Sequence, residues 1–279
     1  MTIASEMLCD HMAAAVTGID LNTLPDASMQ AELRQTLNRN LVLCIRGQRL
    51  GPPAFRDAMA RFGTPMRRLQ LAATEECADV NIISSEDRDV LGDGKKLVNG
   101  ASWHTDDSFM REPCSLTMLY GVVVPSRGGD TQFVNMHAAY EALSPAMKQR
   151  IDGLKVIHKY QSSRQTNRVS RRPDSEMKAM PEATHPLVRT HPETGRKALY
   201  LNANRMEQIV GMGRSESDAL LDELIAHSIE PRFQYRHVWR QGDVVIWDNR
   251  CTMHKANADY PDGERRLMHR VIVAGDAPF

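Results

Sequence analysis

Apolar residues recur along the chain at two spacings, and each spacing predicts a different element. Met29, Leu33 and Leu37 lie four apart on one helical face, which predicts a helix over residues 29–38. Phe55, Met59 and Phe62 repeat the pattern, with Gly63 as the stop. Ser144-Pro145 reads as an N-cap followed by proline at the first helical position, and Gly153 closes that segment. Ser215 with Asp218 resembles a capping box opening a helix through Leu220, Leu221, Leu224 and Ile225, ended by Pro231.

The remaining apolar runs are short and rich in β-formers. Leu41 to Arg46, Asp79 to Ser84, Leu116 to Val124, Lys155 to Tyr160, Ala198 to Leu201, Gln234 to Trp239, Asp243 to Trp247 and Arg270 to Val273 all read as strands. Many short strands with a few peripheral helices predict a mainly β sandwich or barrel, not a doubly wound parallel sheet. The absence of a G-x-G-x-x-G or P-loop sequence leaves a nucleotide fold without support. Gly63 to Cys77 and Gln161 to Thr184 read as long loops.

Composition narrows the function classes. The chain has 279 residues, 42% hydrophobic, enough for a substantial core, and residues 1–279 are expected to form a single domain with loop or lid insertions near 63–77 and 161–184. Lys plus Arg and Asp plus Glu both total 35, so no global basic field is available to attract nucleic acid or an anionic membrane. Glu6, Asp10 and His11 interrupt the first apolar stretch, which argues against a signal peptide, and no later stretch reaches the roughly 18 apolar residues of a membrane span. The five cysteines, Cys9, Cys44, Cys77, Cys114 and Cys251, form no C-x-x-C pair. A disulfide framework and a thiolate zinc site are therefore disfavoured, and a reducing cytoplasm is expected.

The chemistry begins at Trp103-His104-Thr105-Asp106-Asp107. On an extended segment, positions i and i+2 point to the same side, so His104 and Asp106 can grip one ion while Asp107 faces away. Taken alone this is an ordinary histidine with an acidic neighbour. Trp247-Asp248-Asn249-Arg250-Cys251-Thr252-Met253-His254 adds a second histidine just after a strongly β run. Arg265-Arg266-Leu267-Met268-His269-Arg270 then opens the last strand, with Arg266, Met268 and Arg270 predicted on one face and Arg265 and His269 on the other. Two histidines and one carboxylate on one side of a metal leave positions open for a bidentate 2-oxo acid and dioxygen. An inward arginine can hold the far carboxylate through parallel hydrogen bonds, and a second can hold a substrate anion. The bland alternative for the arginines is a solvated basic edge.

W-H-T-D, Gly128-Gly129-Asp130-Thr131, W-D-N-R-C-x-x-H and R-R-x-x-x-R, in that order, closely resemble the TauD/TfdA family, the taurine and 2,4-dichlorophenoxyacetate dioxygenase group. The resemblance extends to Arg46-Gly47-Gln48, Ala138-Ala139-Tyr140 and His185 to Arg196, so it spans most of the chain. It implies a double-stranded β-helix, a jelly-roll barrel with the metal inside. It also implies His104, Asp106 and His254 as Fe(II) ligands, Thr131 and Arg266 as contacts of 2-oxoglutarate, and Arg270 as the substrate contact. The resemblance implies hydroxylation of a small carboxylate or sulfonate with O2, giving succinate and carbon dioxide, with C–O or C–S cleavage where the attacked carbon bears a heteroatom. Relatives commonly form dimers or tetramers, so a homo-oligomer is expected.

Two departures bear on the substrate. The turn Pro261-Asp262-Gly263-Glu264 is one residue longer than in the taurine enzyme, which leaves strand parity intact. Arg67 to Ala73 lacks that enzyme's histidine and tyrosine, which speaks against taurine, and lacks a clear counterpart of the dichlorophenoxyacetate enzyme's lysine. Arg164, Arg168, Arg171 and Arg172 read either as a lid over an anionic substrate or as a solvated charge run. Trp103, Phe109 and Trp247 flank the motifs as pocket or core residues. Two rival readings are a zinc-dependent hydrolase on the same three donors and a non-catalytic small-molecule-binding barrel.

Overall fold

The computed structural model describes residues 3–23, 26–67, 71–88, 92–95, 97–165 and 173–279. It is mostly β. The largest sheet pairs β1 (Ala4–Cys9), β2 (Met12–Thr17), β3 (Val42–Ile45), β14 (Val244–Asp248), β6 (Leu116–Val123), β16 (Leu267–Val273) and β4 (Pro65–Met66) in that order, with β5 (Asn81–Ser84) also on β16. A three-stranded sheet runs β13 (Gln234–His237), β7 (Thr131–Asn135), β15 (Thr252–Ala256). A second places β8 (Lys155–Lys159) between β12 (Met206–Ile209) and β9 (Glu182–Pro186), and β10 (Val188–Thr190) pairs β11 (Lys197–Leu199). All neighbours are antiparallel except β2 and β3.

The central strands bury both faces, which is why they read as unbroken apolar runs. Val42, Cys44, Leu119, Val245, Trp247 and Met268 pack into one core with Phe133 and Met253 of the β13-β7-β15 sheet. Their alternating neighbours Leu43, Ile45, Met118, Val244, Ile246 and Val271 pack into a second core with Leu33, Leu37, Phe55 and Met59. Those four belong to α1 (Ala27–Asn40) and α2 (Pro52–Ala60), which cover the outer face. The candidate site opens on the first face.

The helices form where the periodicity places them, with different caps in detail. Asp26 caps α1 by accepting from Met29 N, and Ser144 caps α4 (Pro145–Ile151) as expected. The capping box at Ser215 does not form. Helix α6 (Arg214–Ser228) begins two residues earlier behind Gly213, Asp218 instead takes Arg214, and the Ser217 hydroxyl accepts from Ile209 N. Short α3 (Met136–Glu141) follows β7 directly, capped by Asn135.

The expected loop 161–184 is partly structured: α5 (Asp174–Ala179) and the start of β9 fall inside it. Arg168, Arg171 and Arg172 lie outside the described residues, as does part of the Arg67 to Ala73 segment. Arg164 pairs with Asp218 and Asp222 of α6. Strands β1, β2, β4, β7, β9, β10, β12 and β15 were not foreseen; β4, β10 and β12, of two to four residues, are too short to show a period. No helix of the described residues is long and apolar enough to cross a membrane.

Candidate active site

Two backbone hydrogen bonds bring the motifs together. His104 N donates to His254 O at 3.0 Å and His254 N to His104 O at 2.8 Å, an isolated antiparallel bridge. The two imidazoles consequently lie side by side, ring centroids 4.1 Å apart and planes tilted by 44°. Asp106, two residues on, brings Oδ1 to 3.7 Å from His104 Nε2 and Oδ2 to 3.9 Å from His254 Nε2. Asp107 then takes a left-handed φ of 60°, which ends the extended alternation. The reading that Asp107 faces away is corrected by this turn: it lines the same cavity.

The proton on His104 is placed to suit a cation. His104 Nδ1 sits 2.7 Å from the Ser102 carbonyl, which can only accept, so Nδ1 holds the hydrogen and Nε2 offers its lone pair. Burial pushes His104 below the ordinary imidazole range and His254 well below it, so both are neutral at pH 7. His254 packs against the Trp247 and Phe133 rings, centroids 4.6 and 6.2 Å away. Burial is the largest single influence and works against an ionised Asp106, but the Arg270 guanidinium, the two histidines and the Thr117 hydroxyl together outweigh it and hold the carboxyl well below the usual range. The three ligand atoms all lie within 4.8 Å of one another. Two neutral nitrogens and one anionic oxygen, open on one side to a cavity, fit a divalent transition metal and leave coordination positions free.

That cavity holds about 700 Å³, the size of a small-molecule site. Arg266, Met268 and Arg270 are buried at 7%, 0% and 8% exposure, the face the sequence predicted. Arg266 donates Nε to Gly129 O at 3.0 Å, and no carboxylate among the described residues pairs with it. Burial alone lowers it to about 10. An enclosed cation without a counter-ion is a receptor for an anion. Thr131 Oγ1 accepts from Trp239 Nε1 at 3.0 Å, which leaves its own hydroxyl hydrogen to donate into the cavity that it lines.

The glycines before Thr131 are required by contact. A Cβ on Gly128 (φ +68°) would lie 2.6 Å from Asp259 O, and one on Gly129 (φ +67°) would lie 3.2 Å from Arg266 Cδ. Arg270 differs from expectation in its partner: Nη2 meets Asp106 Oδ2 at 2.8 Å. Phe109 and Trp247 line the cavity, whereas Trp103 packs on the core with Lys255 over its ring.

Sequence reasoning missed three residues here. Thr117 donates to Asp106 Oδ2 at 2.6 Å, and Asn249 donates to Thr117 Oγ1 at 2.9 Å. Arg205 lies over the Tyr160 ring at 4.4 Å on the cavity wall. Asn249 stood inside a quoted motif and could have been weighed; Thr117, in an ordinary β run, carried no signal. Two other three-donor groups among the described residues, Cys44-His237-Asp243 and His191-Asp248-Cys251, are closed in the core. Their carboxylates are held by Arg46 and by Arg250 and His191.

A neutral histidine pair, an ionised carboxylate and a buried arginine with no ion-pair partner among the described residues, around one cavity, suit a non-haem metal oxygenase that takes a 2-oxo acid. Comparison with known proteins agrees. The model of the family "Taurine catabolism dioxygenase TauD, TfdA family" matches residues 5–272, and the chain belongs to that family of α-ketoglutarate-dependent (2-oxoglutarate-dependent) dioxygenases. It is 33% identical to the alpha-ketoglutarate-dependent 2,4-dichlorophenoxyacetate dioxygenase of Cupriavidus pinatubonensis, covering 99% of both chains. The crystal structure of a taurine dioxygenase from Burkholderia xenovorans superposes with a TM-score of 0.83 at 33% identity, over 99% of this chain and 92% of that one. AAD-2 in complex with Mn(II) and N-oxalylglycine superposes with a TM-score of 0.85 at 30% identity, over 100% of this chain and 99% of that one.

Proposed function

We propose that the chain is an Fe(II)- and 2-oxoglutarate-dependent dioxygenase acting on a small organic anion, with His104, Asp106 and His254 as the metal ligands. The observation that carries this reading is the buried Arg266, without an ion-pair partner among the described residues, lining the same cavity as the three donors. A zinc hydrolase on the same donors would have no use for such a cation, and a passive binder would have no use for the donors. A double-stranded β-helix formed as a single unit over residues 1–279 is the architecture we assign. A cytoplasmic location fits the unpaired cysteines.

Bound there, iron with 2-oxoglutarate would supply oxidative decarboxylation to succinate and carbon dioxide coupled to hydroxylation of a substrate C–H bond. The chain's own residues do the rest. His104 and His254 present Nε2 lone pairs, and Asp106 supplies negative charge. Arg266 and the Thr131 hydroxyl grip the far carboxylate of the co-substrate. The apolar wall, Leu71, Ile82, Ile83, Leu97, Leu119 and Phe109, excludes water and accepts the body of the substrate. Arg270 and Arg205 are the two cations we assign to its acid group. A wall this apolar suits an aryl or branched alkyl carboxylate or sulfonate better than taurine, and the missing histidine and tyrosine of the Arg67 to Ala73 segment point the same way.

The test is direct. Anaerobic protein with Fe(II) and 2-oxoglutarate should develop a weak visible metal-to-ligand charge-transfer band. Admission of air with a panel of aryloxy acids, alkyl sulfonates and carboxylates should then release succinate for at least one member. Absence of both signals refutes the reading.

A further inference from the structure

The contacts around Asp106 separate the jobs of its two oxygens. Oδ2 receives the Thr117 hydroxyl at 2.6 Å and Arg270 Nη2 at 2.8 Å. A carboxylate oxygen has two in-plane lone pairs, and two strong donors occupy them. Oδ1 lies 3.7 Å from His104 Nε2 and is the oxygen left to coordinate.

Thr117 is itself held. Its Oγ1 accepts from Asn249 Nδ2 at 2.9 Å, which commits the hydroxyl hydrogen to Asp106. Asn249 is fixed in turn: its Oδ1 accepts from Trp247 Nε1 at 2.9 Å, and its backbone oxygen accepts from Thr105 Oγ1 at 2.7 Å. Thr117, Asn249 and Thr105 are at most 2% exposed, so no water competes for these bonds. Thr117 on β6 and Trp247 on β14 are register partners, so the chain of donors is built across two central strands. A central sheet is the stiffest platform this fold offers.

We propose that Thr117 and Asn249 are positioning residues that make Asp106 a one-oxygen ligand. This rests on the reading of His104, Asp106 and His254 as the metal site. The chemical consequence concerns space. A carboxylate chelating through both oxygens fills a position that a two-point 2-oxo acid and dioxygen would need. Occupying Oδ2 with protein donors keeps that position open. The same donors stop Asp106 from rotating about its Cβ–Cγ bond, so little entropy is lost when metal binds.

The experiment measures binding, without turnover. Mn(II) is titrated into wild type, Thr117→Val, Thr117→Ser and Asn249→Ala by calorimetry, followed by 2-oxoglutarate into each Mn(II)-loaded protein. Thr117→Val keeps the shape and removes the hydroxyl. It should weaken Mn(II) affinity by about 10- to 100-fold, the usual effect of losing a partner behind a metal ligand. It should also weaken the following 2-oxoglutarate step, because Asp106 is now free to chelate. Thr117→Ser should restore both affinities to within about threefold of wild type, and Asn249→Ala should fall between. Thermal midpoints taken alongside confirm that each variant is folded.

Wild-type affinities in the Val variant would overturn the proposal. So would a Ser variant as impaired as Val, which would trace the effect to packing of the methyl group. Failure of the wild type itself to bind Mn(II) would instead refute the metal site, a separate outcome.

Discussion

Replacing Arg266 with methionine tests the co-substrate reading where folding and binding should move in opposite directions. Met has similar length and no charge. In the free protein the exchange removes one hydrogen bond, Nε to Gly129 O, worth about 1 kcal/mol. It also removes a cation that burial has pushed to about 10, a desolvation burden of roughly 3 kcal/mol at 1.4 kcal/mol for each pH unit. Apo stability should therefore hold or rise. Affinity for 2-oxoglutarate should collapse, because deleting one partner of a buried charged pair costs about 2–5 kcal/mol, or roughly 30-fold to several thousandfold. Two measurements on Mn(II)-loaded protein decide it: calorimetric titration with 2-oxoglutarate, and the rise in thermal midpoint that saturating 2-oxoglutarate produces. Wild type should show both, and the Met variant neither. A variant that binds within threefold of wild type would refute the clamp. One that melts far lower without ligand would mark Arg266 as a structural residue.

Three further outcomes follow from the same contacts. Asp106→Ala should abolish turnover and also destabilise the apo protein by about 3–5 kcal/mol, because it strands the buried Arg270, and Asp106→Ala with Arg270→Met should recover most of that loss in a denaturant titration. Gly128→Ala should cost a few kcal/mol, since its Cβ would meet Asp259 O at 2.6 Å on a left-handed backbone, read as a lowered urea midpoint with disturbed 2-oxoglutarate binding. Burial lowers His137 to about 4 and His158 to about 3, below the unfolded value near 6.5. The unfolded chain then takes up protons the native state refuses, so stability is full above pH 6.5 and falls towards pH 4 by about 1.4 kcal/mol per pH unit for each histidine; a flat urea midpoint over that range would contradict the buried neutral state.

How much of this was legible in the sequence depends on how local each determinant is. The clustering of the three donors was legible because His104 and Asp106 are two residues apart and His254 sits in an ordered motif. The arginine face was legible because strand parity is strict: Arg266, Met268 and Arg270 had to share a side. The two-sided burial of the central strands explains why their apolar runs were easy to find but carried no facing information. Short strands such as β10 and β12 carried too few residues to show a period. The capping box at Ser215 failed because the helix found an earlier start at Gly213, a choice worth a few tenths of a kcal/mol that no local pattern resolves. Thr117 was invisible, since nothing in L-T-M-L-Y distinguishes a threonine that faces a carboxylate from one that fills a strand.

Arg270 is where local and tertiary logic meet. Parity placed it correctly on the cavity face, one pleat beyond Arg266, yet its nearest anion is Asp106 of this chain. The two arginines therefore differ in kind. Arg266 has no ion-pair partner among the described residues, and Asp130 and Tyr260 act on it only at a distance, so a ligand carboxylate gains most of the benefit of pairing with it. Arg270 is already compensated, so a substrate anion gains only what remains after Asp106 has taken its share. A metal ion arriving at Asp106 changes that balance, because positive charge on the carboxylate weakens its hold on the guanidinium. Affinity for the organic acid should consequently rise once metal is bound, while affinity for 2-oxoglutarate through Arg266 depends on metal chiefly through coordination.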